Sequence, residues 1–428
     1  MLDYVVEQTD KYIISKPKSE RKVLGQFFTS KATARFMASL FDMPRQCIIK
    51  LLDPGAGSGI LSAALIEAIE RYDNSLQVEL TCYETNPDVI ALLRSNLEYI
   101  RQKSRLRLSL RIVDEHYILS QSDDFSGNLT ASMFPTKYDL VIANPPYYKL
   151  AKAAPEAASM KSVCHGAPNI YFLFAAMSLF NLREGGELVY IIPRSWTSGA
   201  YFTHFRKYFL KYGKITDIHL FISRDKVFDK EQILQETMIV KVLKTSVAPR
   251  MVNITSSLDS NNFENNTLLH APYETVVSGD EKYVYLPISH KEINVLEKVN
   301  SIGKPLASIG LKMKTGLTVD FRNRRLLRNT SGENTVPLFY SQHLKGGRVV
   351  FPIGKGYEYM SDELSGVVQS NKNYLFVKRF TAKEEKRRLQ CAVYLAKRFP
   401  EFKRISTQNK INFIDTVDNS DMSDELVH

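Results

Sequence analysis

The stretch LLDPGAGSGIL, residues 51–61, connects an apolar run to a helix-forming segment through a glycine-rich turn. Residues 48–53 predict a buried parallel strand, and residues 60–69 predict a helix by their length and composition. Glycines let the backbone turn sharply and let a ligand approach the main chain closely. The stretch therefore predicts the first strand, turn and helix of an open α/β sheet, with a ligand at the turn. A tight β–α connection without a ligand would give the same local pattern.

Strand and helix patterns alternate along the next 190 or so residues, which is typical of an open α/β sheet. The predicted strands are 77–84, 108–113, 138–143, 188–192, 215–221 and 236–243, and the predicted helices are 87–101 and 170–180. Only a loop separates the last two strands, so they predict an antiparallel hairpin at one edge. The pattern fades after about residue 245, and we predict a domain boundary near residue 280. Residues 151–168 and 256–266 are predicted to be loops.

The charge of the chain is concentrated in one region. The formal net charge is +11, and residues 301–414 contain 22 Lys and Arg but only 8 Asp and Glu. A basic block of this kind is the electrostatic signature of a polyanion partner, although a solvated basic surface would look the same. The four cysteines are scattered, and no apolar run approaches the roughly 20 residues of a membrane span. We therefore expect a cytoplasmic protein without a structural metal.

Three acidic side chains stand at predicted strand ends, where open α/β sheets bind their ligands. Asp53 can accept hydrogen bonds from a ligand amine or from bound water. Glu84, in YETNP, can accept both ribose hydroxyls of an adenosine, although a helix-capping or solvated glutamate would fit too. Asp114 can accept from the amino group of an adenine, or it can be turn chemistry alone.

The tetrapeptide Asn-Pro-Pro-Tyr, residues 144–147, follows the fourth predicted strand. Consecutive prolines fix the backbone, so the Asn144 side-chain oxygen and the Pro145 carbonyl can both accept from one NH2 group. Two such acceptors would hold the hydrogens of an aromatic amine out of the ring plane and direct its lone pair toward an electrophile. Pro146 completes the rigid corner, and Tyr147 can stack on the face of the base. A rigid turn without a ligand is the structural alternative.

Together these motifs resemble those of the gamma class of N6-adenine DNA methyltransferases, above all the PstI and BsuBI type of modification methylase and more distantly the TaqI type. The resemblance covers most of the chain. Its segments are GQFFTS (25–30), DPGAGSG (53–59), YETNP (83–87), NPPY (144–147), EGGELVYIIPRSW (184–196) and NYLFVKRFTAKEEKRR (373–388).

The resemblance implies a Rossmann-like class I methyltransferase domain over residues 1–280, followed by a basic α+β target-recognition domain over 281–428. It implies S-adenosyl-L-methionine as methyl donor, S-adenosyl-L-homocysteine as product, and no metal. Phe28 and Thr29 would lie at the methionine end of the cofactor, with Thr29 on its carboxylate. Phe228, in VFDKEQ, would stack on a flipped adenine opposite Tyr147. The implied cofactor-binding set is Phe28, Thr29, Asp53, Gly55, Gly57, Glu84, Asp114 and Asn144, and the implied catalytic set is Asn144, Pro145, Pro146, Tyr147 and Phe228.

The implied activity is site-specific methylation of adenine N6 in double-stranded DNA (EC 2.1.1.72). The enzyme would be a monomer and the modification component of a restriction-modification system, with a cognate endonuclease encoded alongside. Lys and Arg side chains of the C-terminal region would bind phosphates, although TAKEEKRRLQ (381–390) could equally be a solvated helix. The candidates are Arg322, Arg324, Arg325, Arg328, Lys378, Arg379, Lys383, Arg387 and Arg388.

Several alternatives remain open at this stage. The same fold could act on a protein glutamine or a ribosomal RNA amine, or the chain could be an orphan epigenetic DNA methylase. A non-catalytic DNA-binding module is also compatible with the basic region, whereas no convincing PD…(D/E)xK array indicates a nuclease fusion. Residues 151–168 could be a mobile loop over the target base or a family-specific insertion.

Overall fold

The computed structural model describes residues 1–15, 29–128, 136–221, 236–258, 263, 266–381 and 385–428. The chain divides into two compact units, Met1–Asn300 and Ser301–His428. This division lies 20 residues beyond the boundary predicted near residue 280. Among the described helices, none combines the length and the apolar character that crossing a bilayer would require.

The first unit is built around one nine-stranded mixed sheet, in the order β3-β2-β1-β4-β5-β7-β6-β8-β9. Its strands are β1 Ile48–Pro54, β2 Gln77–Tyr83, β3 Arg107–Val113, β4 Tyr138–Ala143, β5 Leu182–Pro193, β6 Gly213–Phe221, β7 Thr237–Lys244, β8 Met251–Ser257 and β9 Thr267–Pro272, with a separate pair β10 Val277–Ser278 and β11 Tyr283–Val284. Its helices are α1 Leu2–Ser15, α2 Lys31–Ser39, α3 Ile60–Tyr72, α4 Pro87–Lys103, α5 Ser122–Ser126, α6 Pro155–Ser159, α7 Ile170–Asn181, α8 Thr203–Tyr212, α9 Tyr273–Val276 and α10 His290–Ile302. The first five strands of the order run parallel, and β7 is antiparallel to both of its neighbours.

The central strands are apolar because helices cover both faces of the sheet. All six residues of β4 are buried. Alternate residues of this strand belong to two different cores, Val141 to one and Leu140 to the other, as expected when successive side chains point to opposite faces. Helix α7 is apolar on every side and almost completely buried, whereas Asn86 caps α4 by accepting hydrogen bonds from two backbone amides of its first turn.

The antiparallel pairing of β6 with β7 is confirmed, but its predicted position at the edge of the sheet is wrong. Strand β8 pairs in parallel with β6, and β9 pairs in antiparallel with β8, so two further strands lie beyond the hairpin. The sequence pattern did not predict β8 because polar residues, Asn253 and Thr255, occupy its partly buried positions. Burial alternates along this strand, and the sheet therefore continues past residue 245, where the α/β pattern fades.

The second unit contains two sheets, one of six strands in the order β12-β22-β19-β20-β16-β15 and one of five in the order β13-β17-β14-β21-β18. Their strands are β12 Leu311–Thr315, β13 Leu327–Arg328, β14 Thr335–Phe339, β15 Leu344–Lys345, β16 Arg348–Val349, β17 Tyr359–Ser361, β18 Gln369–Ser370, β19 Tyr374–Lys378, β20 Cys391–Tyr394, β21 Arg404–Thr407 and β22 Ile411–Thr416. Among the described residues after 302, the one α-helix is the four-residue α11, Asp424–Val427, so this unit is mostly β rather than the predicted α+β. Residues 385–390 are not helical, because this run has no apolar stripe whose burial would stabilise a helix.

Candidate active site

A cavity opens at the carboxyl ends of β1, β2 and β4, where open α/β sheets bind ligands. It joins the glycine-rich turn after β1 to the NPPY segment after β4. Gly55 has a left-handed φ of 72°, and a Cβ atom on it would lie 3.5 Å from Phe174 Cε1 and 3.8 Å from Pro146 Cδ. The predicted cofactor turn and the predicted catalytic corner are therefore neighbours. The lining residues include Thr29, Gly55, Gly57, Tyr83, Glu84, Val89, Glu115, His116, Tyr117, Asn144, Pro146, Tyr148, Ile170 and Phe174.

The Glu84 carboxylate stands on the cavity wall beside the glycine turn, and three backbone amides hold it there. One oxygen accepts from Gly57 N at 3.1 Å, and the other accepts from Thr85 N at 2.9 Å and Asn86 N at 3.0 Å. Each carboxylate oxygen has two acceptor positions, so the oxygen bound to Gly57 can still receive a ligand hydroxyl. The geometry makes Glu84 a fixed acceptor next to the turn.

Asp53 lies beneath the cavity rather than in its wall. Its side chain is completely buried, and one oxygen accepts from Ser62 Oγ at 2.6 Å. The other oxygen, Oδ1, has no hydrogen-bond partner among the described residues. Burial is the main cause that raises the pKa of Asp53 from 3.8 to about 7. Asp53 is therefore an acid whose charge is costly in the cofactor-free protein.

This raised pKa predicts a pH dependence of stability. Protonation is favoured in the folded state, so the contribution of Asp53 is complete below about pH 4 and is lost as pH rises through about 7. We expect the free energy of unfolding of the cofactor-free protein to fall over this range relative to the Asp53→Asn variant. The fall should approach about 1.4 kcal/mol per pH unit. Urea denaturation of both proteins from pH 4.5 to 8 measures the difference.

The comparison with Asp53→Asn isolates this one carboxyl group. Burial also raises the pKa of Glu187 to about 7, but Glu187 is present in both proteins and its contribution cancels. A difference in unfolding free energy that stays constant between pH 5 and 8 would contradict the raised pKa of Asp53.

Asn144 lies on the wall of the cavity, and two side chains hold its amide in place. Its Nδ2 donates to Thr29 Oγ1 at 3.2 Å. The Tyr147 hydroxyl lies 2.6 Å from Asn144 Oδ1 and 2.7 Å from the Ile191 carbonyl, and its single hydrogen can be donated to either acceptor. Thr29 and Asn144 are 115 residues apart in sequence, and the fold brings them into direct contact. The amide of Asn144 is consequently oriented before any substrate arrives.

Tyr147 itself differs from the expectation of a ring exposed for stacking. Its ring is buried, does not line the cavity and meets the edge of Tyr171, with ring centroids 6.2 Å apart. The next residue, Tyr148, lines the cavity instead. The reason is that the Tyr147 hydroxyl reaches inward to β5, where the Ile191 carbonyl lies. Stacking by Tyr147 therefore stays a prediction that requires the ring to move.

The remaining predicted site residues are distributed unevenly. Gly55, Gly57, Thr29 and Pro146 line the cavity, whereas Pro145 and Asp114 do not. The three residues that follow Asp114 (Glu115, His116 and Tyr117) line it instead. The sequence would have indicated them if the site had been sought in the loop after the strand and not only at the first residue beyond its end. Phe28 and Phe228 lie outside the described residues, as do Gly25, Gln26 and Phe27 of the GQFFTS segment.

Residues 151–168 form a loop whose two ends are joined by backbone hydrogen bonds. The backbone of Leu150 donates to Pro168 O, and that of Ile170 donates to Tyr148 O. The segment contains the short helix α6, whose Glu156 carboxylate lies 3.3 Å from the ring of His116 in the cavity wall. The loop therefore packs beside the cavity.

A second cavity has a volume of about 470 Å³. Two of its lining residues directly follow, in the sequence, residues that line the first cavity. Lys149 follows Tyr148, and Tyr171 follows Ile170. The other lining residues are Asn169, Pro193, Arg194, Ser195, Tyr201, Phe202 and Glu236. Arg194 pairs with Glu236 across this space. The two cavities are therefore lined by neighbouring residues of the chain, but Asn144–Tyr147 do not line the second one.

Comparisons with known proteins identify relatives that cover most of the chain. The family model described as Eco57I restriction-modification methylase matches residues 65–228. The type II methyltransferase M.PstI of Providencia stuartii is 30% identical over 92% of this chain and 78% of its own length, and M.BsuBI of Bacillus subtilis is 32% identical over 88% and 75%. The solved type IIL restriction-modification enzyme MmeI has a TM-score of 0.49 and 9% identity, over 96% of this chain and 60% of that chain. The chain thus belongs to the type II restriction-modification methyltransferases, in the family that includes M.PstI and M.BsuBI.

Proposed function

We propose that this protein transfers a methyl group from S-adenosyl-L-methionine to N6 of a flipped adenine in duplex DNA, as the modification component of a restriction-modification system. One observation supports this most: Asn144 shares a single cavity with the glycine turn and with Glu84. A donor held by the turn and an amine held by Asn144 would then meet without any large rearrangement of the sheet.

The cavity has the features that an adenosine-containing cofactor requires. Glu84 would accept the ribose hydroxyls, and Val89 and Phe174 supply apolar walls for the adenine. The glycine turn leaves open space where a side chain on Gly55 would intrude. When bound, S-adenosyl-L-methionine supplies an electrophilic sulfonium methyl group. Asp53, with its unpartnered buried oxygen, would support the charged amino end, and Thr29 would contact the carboxylate.

We propose that Asn144 orients the reacting amine. Its Oδ1, which lies beside the Tyr147 hydroxyl, and the Pro145 carbonyl would accept the two hydrogens of the adenine amine. Orientation of the lone pair toward the methyl group then lowers the barrier without a strong base, because the transfer depends on alignment and electrostatics.

The flipped base itself would stack between Tyr147 and Phe228 once the Tyr147 ring leaves its buried position. Extrusion of a nucleotide costs a few kcal/mol, part of which stacking offsets. Asp114, next to the cavity-lining Glu115, remains our candidate for the amino group of the cofactor adenine.

Two substitutions of Tyr147 separate the roles of its hydroxyl and its ring. Tyr147→Phe removes one hydrogen bond to Asn144 or Ile191, a loss of about 1 kcal/mol, so methyl transfer to duplex DNA should fall about 5-fold. Tyr147→Ala also removes stacking worth about 1–3 kcal/mol, so its rate should fall a further 5- to 150-fold. Single-turnover methylation assays measure both rates. Equal rates for the two variants would contradict a stacking role. Tyr72→Phe, at an exposed tyrosine that lines neither cavity, is the control and should keep the wild-type rate.

Labelled methyl groups provide the direct test of the proposed function. The purified protein is incubated with labelled S-adenosyl-L-methionine and either duplex DNA, ribosomal RNA or total protein. We expect label in DNA, recovered as N6-methyladenine on nucleoside analysis, and long-read sequencing of DNA from expressing cells should show one sequence context. Label in RNA or protein, or in a cytosine of DNA, would overturn the proposal.

A further inference from the structure

Two phenylalanines of the second unit point into solvent. Phe321 is 64% exposed and Phe380 is 58% exposed, although a large aromatic ring usually packs inward. Each has an arginine as its neighbour in sequence, with the guanidinium over the ring: Arg322 lies 5.6 Å from the Phe321 centroid, and Arg379 lies 5.1 Å from that of Phe380. The same pairing of an apolar face with a cation thus occurs twice.

Both pairs flank one turn, which joins β21 to β22. On one side, Arg379 N donates to Lys410 O, and Arg379 Nη1 donates to Asn409 O at 3.1 Å. On the other side, the Asp320 carboxylate accepts from Gln408 Nε2 at 2.8 Å. The two phenylalanines, 59 residues apart in sequence, therefore stand at the same end of the six-stranded sheet.

The backbone at this end of the sheet is tightly packed. Gly316 approaches the turn so closely that a Cβ atom on it would lie 2.1 Å from Gln408 O. Gly316 N also donates to Ile411 O, and Asn409 N donates to Thr318 O. Because these contacts fix the backbone on both sides of the turn, the rings are presented from a rigid support, and a partner would not have to order a loose loop.

The charge around the rings is positive. Four exposed cations, Arg322, Arg379, Arg388 and Lys410, form no ion pair with any described carboxylate, and Arg388 Nε donates to Thr381 Oγ1 beside Phe380. The nearby acids are already engaged: Asp320 accepts from Gln408 and from Phe321 N, and Glu385 pairs with Lys378. The predicted phosphate contact of Lys378 is weakened by that ion pair, whereas Arg379 and Arg388 remain available.

We infer that these six residues form a DNA-contact surface, the sheet-end surface: Phe321, Arg322, Arg379, Phe380, Arg388 and Lys410. The cations would bind phosphates, and the two rings would make apolar contacts with base edges and thymine methyl groups in a groove of the duplex. Positive charge beside exposed aromatic rings fits nucleic acid better than an apolar protein surface. This inference rests on the proposed function, because it assigns part of the contact to the same DNA substrate.

The test is equilibrium binding of the full chain to duplexes that the wild type itself selects by binding from a random-sequence pool, measured by fluorescence anisotropy at several salt concentrations. Burial of a phenylalanine side chain contributes about 1.5–3 kcal/mol, so Phe321→Ala and Phe380→Ala should each raise Kd about 10- to 150-fold, with the slope of log Kd against log salt unchanged. Arg322→Ala and Lys410→Ala should instead each reduce the magnitude of that slope by about 1. Phe→Leu variants at both positions keep an apolar side chain and should recover only part of the affinity.

Matched controls lie at the opposite end of the same sheet. Val417 is 51% exposed just after β22, and Arg398 is exposed after β20. Val417→Ala and Arg398→Ala should leave both Kd and the salt slope unchanged. Circular dichroism and thermal melts should show all variants folded, because none of these side chains is buried.

Two results would overturn the inference. Unchanged Kd for both phenylalanine variants, with a wild type that binds and methylates DNA, would remove the rings from the contact and leave the proposed function standing. Loss of binding to a protein partner, with DNA affinity intact, would assign the surface to that partner. If the wild type binds duplex DNA through this surface but transfers no methyl group to it, the inference holds and the proposed function fails.

Discussion

The Asn144→Ala variant is expected to bind S-adenosyl-L-methionine with unchanged affinity and to lose about 10²- to 10³-fold in kcat for methyl transfer. The substitution removes one of the two acceptors that would align the amine. A preorganised hydrogen-bonding group that acts only in the transition state is typically worth this much. Isothermal titration measures cofactor affinity, and single-turnover assays with duplex DNA measure the transfer step.

Thr29→Ala is a second variant, which tests the contact between Thr29 and Asn144 separately from the Asn144 oxygen. It removes the partner of Asn144 Nδ2 but keeps the Oδ1 acceptor, so its loss in kcat should be much smaller than that of Asn144→Ala. Because Thr29 is also our candidate for the cofactor carboxylate, its cofactor Kd should rise while that of Asn144→Ala does not. Methyl transfer that survives in Asn144→Ala would remove this residue from the mechanism.

Glu84→Ala is expected to have the opposite effect to Asn144→Ala. It should weaken cofactor binding and largely preserve the chemical step. Hydrogen bonds to a charged group contribute about 1.5–3 kcal/mol, so loss of the ribose contact should raise the Kd of S-adenosyl-L-methionine about 10- to 150-fold. At saturating cofactor the Glu84→Ala variant should therefore reach most of the wild-type kcat. Titration calorimetry and initial rates over a range of cofactor concentrations provide the two measurements.

Glu84 also binds three backbone amides, so the control must separate structure from ligand contact. Glu84→Gln keeps an acceptor oxygen but loses the charge, and its Kd should lie between those of wild type and Glu84→Ala. Urea denaturation reports any loosening of the glycine turn, and Glu363→Gln, at an exposed position of the second unit, should behave as wild type. A large loss of rate in Glu84→Ala that persists at saturating cofactor would contradict a role confined to cofactor binding.

The two variants together test the shared cavity. If Asn144 acts on the amine and Glu84 acts on the cofactor, their effects should separate cleanly into kcat and Kd. Because Asn144 would act on the amine and Glu84 on the cofactor, the double variant should show both defects at once, with each close to its single-variant value.

Local patterns along the chain were sufficient for the core of the fold. Strand β4, Tyr138–Ala143, has the predicted bounds, and β1, α3 and α4 agree within two or three residues. The two strands are mostly apolar, as buried parallel strands are, and α4 begins next to a capping residue, Asn86. Such signals depend only on near neighbours in sequence. Local patterns also placed DPGAGSG and NPPY at the ends of predicted parallel strands. Because the carboxyl ends of parallel strands lie at the same edge of a sheet, the two motifs were expected to be close together.

Tertiary structure alone decided the contacts between distant polar side chains. No periodicity predicts that Thr29 meets Asn144, that the Tyr147 hydroxyl turns toward Asn144 and Ile191, or that Phe321 and Phe380 share one sheet end. Strand β8 likewise belongs to the sheet because it pairs with β6, and β9 because it pairs with β8, and the sequence pattern did not predict either pairing. The physical reason is that hydrophobic patterning specifies which face of an element is buried. Which polar groups then meet depends on packing and hydrogen-bond partners supplied by the rest of the chain.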